Sequence, residues 1–407
     1  MDTLFWIGLL LLMGYGVGRV TDRFRLPKIS GYILIGTLLS PSVSHILPPS
    51  FLSDSEPIVH FALAVIAFLI GGSFKYEKVK KLEKTIFGVM LGESETAFLV
   101  VALGMFLLLP HLGSEYLQLE GWRHHLLVAL FLGSISSATA PAAVLAVIHQ
   151  YRANGPLTTT LLGVVATDDA IALINYSIVL SIVALLHGNG ESSVLGAVLS
   201  PVETILLSLL LGIAAGWLQA FHVEKINKEN NLIISTIGLL LMVYACAEYF
   251  RLNGLLACMA FGFILANRTG KSDEIFGIIQ EHFEELIFVL FFIISGATVQ
   301  LEVLAGVWHV ALVYVVLRIA GKAAGSWIGA TVTGSEEVVR RYMGMALMPQ
   351  AGVAIGLALM LYHHPEFGST GLFVLNTIIA ATAINEIIGP LLLKIALVRS
   401  GEVKEEG

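Results

Sequence analysis

Long apolar stretches separated by short polar segments run through the whole chain. A helix needs about 20 mostly apolar residues to cross the hydrocarbon core of a bilayer. Windows of that length predict about thirteen transmembrane helices, at residues 3–18, 29–47, 57–74, 85–109, 124–148, 157–186, 194–220, 231–249, 253–267, 283–299, 303–332, 340–362 and 370–394. The pattern therefore predicts an all-α polytopic membrane protein.

Lysine and arginine are distributed unevenly between the loops that join these helices. Nearly all of them fall in one alternate set of loops, whereas the other set holds only Arg123 and Arg251. Cytoplasmic loops carry an excess of these residues. We therefore expect a multi-pass protein of the inner (plasma) membrane, with its N-terminus outside and its C-terminus in the cytoplasm.

The composition supports this interpretation. Of the 407 residues, 56% are hydrophobic and 13% are charged, against roughly 25% charged in an ordinary soluble domain. Forty glycines suit membrane helices, in which small residues let backbones approach closely. Cys246 and Cys258 lie in apolar runs and match no metal-ligand spacing. We expect membrane lipids as surroundings, no cofactor and no nucleic-acid partner.

Two adjacent aspartates, Asp168 and Asp169, lie near the middle of the sixth predicted helix. Ionisable groups at membrane depth are costly and usually face a cavity or a partner. Neighbouring positions on a helix point about 100° apart, so the two carboxylates can serve different partners. The pattern predicts a site that binds either a proton or a monovalent cation, with one aspartate facing the transported ion. The alternative is a buried ion pair that only locks helices together.

Two basic residues, Arg318 and Lys322, lie four positions apart within the eleventh predicted helix. A buried lysine beside a carboxylate stabilises both groups in the membrane, and we assign Lys322 to Asp168. Arg318 either extends to the interface or pairs with another acid. Three further acids, Glu93, Glu95 and Glu386, are candidates for a cytoplasmic funnel, with a purely structural role as the alternative.

Two of the predicted helices contain proline within a run of small and polar residues. Proline removes a backbone donor and disfavours helix at the preceding residue. The sequence therefore predicts discontinuous helices, the first marked by Ser136, Ser137, Ala138, Thr139, Ala140 and Pro141, and the second by Pro349, Gln350 and Gly352. The hydroxyls of Ser136, Ser137 and Thr139 are candidate cation ligands.

The discontinuous helices are the fifth and the twelfth. Because they are seven helices apart, an odd number, they cross the membrane in opposite directions. Inverted repeats over about 3–186 and 231–394, with 194–220 as the linking helix, are the arrangement of many alternating-access transporters. The two broken helices would cross beside Asp169. We expect an ion-translocating core at about 85–186 and 303–394, a dimerisation scaffold at about 3–74 and 231–299, and no soluble regulatory domain.

Together, the aspartate pair, the segment Gly321–Gly325 with Lys322, and the two broken helices resemble the bacterial monovalent cation/proton antiporters of the NapA and NhaA kind. These belong to the wider sodium/proton exchanger superfamily. The resemblance implies an NhaA-like fold and a homodimer. It also implies that Asp169 is the essential cation and proton carboxylate, that Asp168 is the partner of Lys322, and that two protons move per cation.

The predicted function is exchange of Na⁺, or Li⁺, for H⁺. A K⁺/H⁺ antiporter of the same fold is the nearest alternative, and a sodium-coupled solute symporter is a more distant one. An enzyme is not expected, because an intramembrane aspartyl protease needs aspartates from two helices. A channel would leave Lys322 unexplained in a cation pathway.

Overall fold

The computed structural model describes residues 3–24, 26–74, 76–112, 122–186, 194–226, 229–299, 301–350, 352–363 and 367–403. Within these ranges the regular elements are helices, which confirms the predicted all-α class. In chain order they are α1 Thr3–Arg23, α2 Lys28–Leu39, α3 Pro49–Asp54, α4 Glu56–Ser73, α5 Tyr76–Leu108, α6 Trp122–Ile135, α7 Pro141–Gln150, α8 Pro156–Leu186, α9 Val194–Val223, α10 Glu229–Tyr249, α11 Gly254–Arg268, α12 Ser272–His282, α13 Glu284–Ala297, α14 Leu301–Val332, α15 Glu337–Ala346, α16 Gly352–His363 and α17 Gly368–Arg399. A short 3₁₀ turn, Leu109–His111, follows α5.

Among the described residues, eight helices are long and apolar enough to cross a membrane: α1, α4, α5, α8, α9, α10, α14 and α17. Four shorter apolar helices lie within Lys28–Leu39, Pro141–Gln150, Gly254–Arg268 and Val353–Tyr362. The predicted total of thirteen spans therefore stays a prediction. At the fifth and twelfth predicted positions the helix is interrupted, between α6 and α7 and between α15 and α16.

The helices divide into two compact units, the first within Met1–Leu82 and Val202–Thr298. Its close helix pairs depend on glycine. A Cβ at Gly36 would lie 2.9 Å from the carbonyl carbon of Ile293, and one at Gly296 would lie 3.0 Å from the Cα of Ile33. Side chains at these positions would separate α2 from α13, because backbone cannot move aside as a side-chain tip can.

The second unit lies within Glu83–Pro201 and Val299–Gly407. Its α5 and α14 run antiparallel with their backbones in close approach. A Cβ at Gly325 would lie 2.8 Å from the Cα of Glu93, and one at Gly321 would lie 2.7 Å from the Cα of Ala97. This register brings polar residues of α5 against polar residues of α14.

Apolar side chains fill the rest of the second unit. The buried cluster draws on α5, α6, α8, α14, α16 and α17, and includes Val101, Phe131, Tyr176, Tyr314, Leu357 and Ile378. The residues expected to translocate ions, 85–186 and 303–394, lie within this unit. Their role, the scaffold role of 3–74 and 231–299, and the inverted repeats stay predictions.

Candidate ion-translocation site

The first helix break spans residues 136–140 and is closed to solvent, with Ser136, Ser137 and Thr139 at most 2% exposed. Pro141 occupies the first turn of α7, where its missing N–H costs no hydrogen bond. Ala140 before it is extended, at φ −78° and ψ 100°, as the residue before a proline prefers. The local sequence therefore accounts for an extended segment between two helices.

The second break lies between Ala346 and Gly352 and contacts the first directly. Ala140 N donates to the carbonyl oxygen of Pro349 at 3.0 Å. Helix α17 passes the same point, where a Cβ at Gly389 would lie 2.7 Å from the Cα of Pro349. The two breaks thus meet, with α17 in close backbone contact with the second.

Arg318 of α14 connects the two breaks. Its Nε donates to Ser136 O at 2.9 Å and its Nη2 to Ala138 O at 2.8 Å, both in the first break. Its Nη1 donates to Met348 O at 2.9 Å, in the second break. The sequence suggested an acid or the membrane interface as the partner of this residue. The structure instead gives it backbone carbonyls that an interrupted helix leaves without intrahelical donors.

Lys322 lies one helical turn further along α14 and is 0% exposed. Its Nζ donates to Glu93 Oε2 at 2.7 Å, to Ser137 O at 2.6 Å and to Thr139 Oγ1 at 2.8 Å. The nearest oxygen of Asp168, the assigned partner, lies 3.8 Å from Nζ. An ammonium has three N–H donors, and these three partners account for them.

The aspartate pair lies on α8 against the first break. Asp168 is 0% exposed, and its Oδ2 accepts a short hydrogen bond from Thr139 Oγ1. Asp169 is half-buried. Among the described residues, neither Asp168 Oδ1 nor Asp169 Oδ1 has a hydrogen-bond partner, although both atoms are buried. The hydroxyl of Ser137 is also buried without a hydrogen-bond partner among the described residues. Unmatched buried polar atoms are uncommon and call for an explanation.

The hydroxyl of Ser136 differs from that of Ser137, because it donates to Gly133 O at 2.7 Å within the last turn of α6. The carbonyls of Ser136, Ser137 and Ala138 are all occupied by Arg318 or Lys322. Each of these three carbonyls already accepts a hydrogen bond, whereas one oxygen on each carboxylate of α8 and the Ser137 hydroxyl have no partner among the described residues.

The three funnel candidates lie in different surroundings. Glu93 is 0% exposed and forms part of the site through Lys322, with its other oxygen accepting from Ser94 Oγ at 3.0 Å. Glu95 is half-buried and accepts from Asn175 Nδ2 at 3.3 Å. Glu386 of α17 is 4% exposed. A solvent-lined funnel therefore fits Glu95 better than Glu93 or Glu386.

The family assignment rests on the whole length of the chain. The sequence profile of the family described as "Sodium/hydrogen exchanger, transmembrane" matches residues 7–399. The chain belongs to the sodium/hydrogen exchanger family. The resemblance to cation/proton antiporters is thereby confirmed, and the family is one of transporters.

Curated relatives agree with this family across most of their length. The ammonium/H⁺ antiporter subunit AmhT of Alkalihalophilus pseudofirmus is 23% identical over 346 residues, 81% of this chain and 80% of its own. The Na⁺/H⁺ antiporter 1 of Methanocaldococcus jannaschii is 23% identical over 74% of this chain and 69% of its own. The Na⁺/H⁺ antiporter NhaP of Pseudomonas aeruginosa is 26% identical over 61% of each.

Solved structures show the same fold. The sodium proton antiporter MjNhaP1 of Methanocaldococcus jannaschii at pH 8 superposes with a TM-score of 0.72 at 18% identity, covering 98% of this chain and 96% of its own. The same antiporter from an electron microscopy map gives 0.80 at 17% identity over the full length of both chains. At these identities the likeness concerns the fold.

Three polar residues lie together at the second break, and of these only Gln350 was among the predicted site residues. Gln350 Nε2 donates to the Tyr314 hydroxyl at 3.0 Å, and Asn385 Nδ2 donates to Gln350 Oε1 at 2.9 Å. All three are at most 2% exposed. Tyr314 was not among the predicted site residues, although it precedes Arg318 by four positions and Lys322 by eight. That spacing places the three on one face of a helix, a signal that the sequence contains.

Proposed function

We propose that this chain is a secondary active antiporter that exchanges a monovalent cation, Na⁺ or Li⁺, for H⁺ by alternating access. The proton and the cation compete for Asp169, with Asp168 and Ser137 beside it. One observation carries the proposal: two carboxylate oxygens and a hydroxyl are buried without hydrogen-bond partners among the described residues, next to a break in a helix.

The chemistry of these atoms fits an alkali cation. Hard cations prefer oxygen ligands, and a carboxylate supplies charge as well as lone pairs. A bound cation would neutralise the buried charge and satisfy the unmatched oxygens. A proton on the same carboxylate also neutralises its charge. A site that accepts either ligand, but not both at once, is the requirement for exchange.

The positively charged side chains of α14 complete the mechanism. Arg318 and Lys322 neutralise part of the carboxylate charge and hold the first break in its extended form. Because these donors stay bonded to protein, the carboxylates of α8 are the groups that change ligand. The cation is released on one side when protons neutralise them, and protons are released when the site opens to the other side.

The wider arrangement follows the expectations from sequence. We place the protein in the inner (plasma) membrane with its C-terminus in the cytoplasm. We assign translocation to residues 85–186 and 303–394. The scaffold of a homodimer is assigned to residues 3–74 and 231–299.

A K⁺/H⁺ antiporter of the same fold is the second candidate, because the same oxygens bind K⁺ in a wider site. One relative is named as an ammonium/H⁺ antiporter subunit, so NH₄⁺ belongs among the cations tested. A sodium-coupled solute symporter is a third candidate, in which Na⁺ would support solute binding without proton movement.

Proteoliposomes with a trapped pH dye test the proposal. After a proton gradient is imposed, Na⁺, Li⁺, K⁺ and NH₄⁺ are added in turn, and wild type is compared with Asp169→Asn. Both are first shown to be folded and monodisperse. Proton movement that depends on a cation and is lost in the variant supports antiport and identifies the ion. Undiminished exchange by Asp169→Asn contradicts the proposed site, and no proton movement by wild type contradicts the function.

A further inference from the structure

Among the described residues, Lys322 has two carboxylate neighbours, and Glu93 is nearer to it than Asp168, the partner predicted from the sequence. Glu93 Oε2 lies 2.7 Å from Lys322 Nζ, whereas the Asp168 oxygen lies 3.8 Å from the same atom. All three side chains are 0% exposed. We propose that Glu93 is the resident counter-ion of Lys322, and that this pairing leaves Asp168 free to ligate the transported cation. The inference rests on the proposed function.

The geometry of Lys322 supports the first part. Its ammonium directs its donors to Glu93, to the Ser137 carbonyl and to Thr139 Oγ1. No hydrogen-bond donor of Lys322 remains for Asp168, whose nearer oxygen lies 3.8 Å from Nζ and accepts from the Thr139 hydroxyl instead. Glu93 is also held on its other oxygen by Ser94. The pair is therefore bonded on both sides, as a fixed element of the site is expected to be.

The backbone contact between α5 and α14 explains why these two residues meet. Gly325 brings its own backbone against the Cα of Glu93. Gly92 approaches the backbone of Gly329, because a Cβ added at Gly92 would lie 3.0 Å from the Gly329 Cα. A residue with a side chain at Gly325 or Gly92 would separate the helices. The position of Glu93 is thus fixed by rigid helices and not by a mobile loop.

This assignment changes how many unpaired carboxylates the site offers to a cation. If Asp168 were the partner of Lys322, only Asp169 would offer unpaired negative charge. With Glu93 as the partner, both aspartates of α8 are available, and each presents a buried oxygen without a hydrogen-bond partner among the described residues. Glu93 acts through Lys322 and is a positioning residue, whereas Asp168 becomes a ligand.

Removing the Glu93 charge should redirect Lys322 to the next carboxylate, because a buried ammonium requires a counter-ion. In Glu93→Gln, Lys322 pairs with Asp168 and withdraws it from the cation. We expect the KM for Na⁺ to rise about tenfold or more, with the maximal rate at saturating Na⁺ changed much less. The double variant Glu93→Gln with Lys322→Gln removes the ammonium that would capture Asp168, so its KM should be lower than that of Glu93→Gln alone.

The same four proteins form a thermodynamic cycle that needs no transport. Glu93→Gln deprives Lys322 of its nearest carboxylate and Lys322→Gln deprives Glu93 of its counter-ion, so each single variant should lower the thermal midpoint, whereas the double variant should lose much less than the sum of the two. Lys28 and Glu285 provide the matched control, because their atoms also lie 2.7 Å apart but their side chains are 27% and 70% exposed. Their cycle should show almost no coupling.

The outcomes separate this inference from the proposed function. Wild type that exchanges no cation contradicts the function, and the stability cycle still decides whether Glu93 and Lys322 are paired. Wild-type exchange together with an unchanged KM and an unchanged midpoint in Glu93→Gln overturns the inference alone. If Glu93→Gln does not fold, recovery of folded protein by the double variant or by Glu93→Asp supports the pairing. Lack of recovery by both overturns it.

Discussion

Glu402 accepts hydrogen bonds from both the backbone amide and the hydroxyl of Thr158, at 2.7 and 2.6 Å, through a single carboxylate oxygen. Its other oxygen accepts from the amide of Leu157 at 2.6 Å. The first amides of a helix have no intrahelical partner, and a negative charge is favourable there. A residue beyond the end of α17 therefore caps α8, the helix that carries Asp168 and Asp169.

The first prediction concerns this cap. Glu402→Ala should destabilise the protein by about 1–2 kcal/mol, because two amides of α8 and a hydroxyl lose their acceptor. Thermal unfolding in detergent, followed by fluorescence or circular dichroism, measures the effect. Gly155→Ala should reproduce it in part, since its new Cβ would lie 2.5 Å from atoms of the Glu402 side chain.

Ser400→Ala is the matched control for the cap. Among the described residues, the Ser400 hydroxyl bonds within its own helix turn, to Leu397 O at 2.8 Å, so its loss should change the midpoint little. Equal midpoints for Glu402→Ala and Ser400→Ala would show that the contact contributes no stability.

The second prediction concerns Arg318. Arg318→Lys keeps the positive charge but cannot reach three carbonyls in two breaks with one ammonium, because the planar guanidinium presents its donors in a fixed fork. We expect a lower thermal midpoint and at least about tenfold slower exchange, corresponding to about 1.4 kcal/mol in the barrier. Proteoliposome exchange and thermal unfolding measure the two effects. Arg318→Lys with wild-type rate and midpoint would show that the charge alone is sufficient.

The sequence identified the groups of this site better than their partners. Asp168, Lys322 and Pro349 are recognisable because a charge or a proline is out of place in an apolar run. The choice between Glu93 and Asp168 as the partner of Lys322 depends on the register of α5 against α14, which close glycine contacts set. Such a register is a tertiary property, and a local pattern does not determine it.

The contact of Glu402 with the start of α8 is likewise not determined by the local sequence. The cap on α8 joins Glu402 to Leu157 across 245 positions. An acidic residue in a polar tail is usually solvated, and nothing in its neighbourhood indicates a distant helix start. The helices themselves were predictable because their length and apolar composition are local, as were the breaks before Pro141 and near Pro349.

The third prediction concerns the polar chain at the second break. Tyr314→Phe removes the hydroxyl that accepts from Gln350 and leaves a buried amide donor unsatisfied, which costs about 1–3 kcal/mol. Because Gln350 lies beside Pro349, the lost contact should also loosen the second break and lower the rate of exchange. Thermal unfolding and proteoliposome exchange measure both effects. Tyr176→Phe, in the same unit, provides a comparison variant for loss of a buried tyrosine hydroxyl.

The fourth prediction tests whether the second break requires the close passage of α17. In Gly389→Ala the added Cβ would lie 2.7 Å from the Cα and 2.8 Å from the N of Pro349. Real Cβ atoms do not approach backbone so closely, so either α17 or the break must move. The break carries the carbonyls bonded to Ala140 N and Arg318, and its displacement should weaken both contacts. We expect a lower midpoint and slower exchange.

Gly356→Ala, on α16, is the matched control for this change. A Cβ there meets no atom within 4 Å, and replacing a helical glycine by alanine at an unobstructed position stabilises by about 0.4–1 kcal/mol. The two alanine variants should therefore move the thermal midpoint in opposite directions. If Gly389→Ala instead matches Gly356→Ala in midpoint and in rate, close packing of α17 on Pro349 is not needed to hold the break, and the interhelix hydrogen bonds alone suffice.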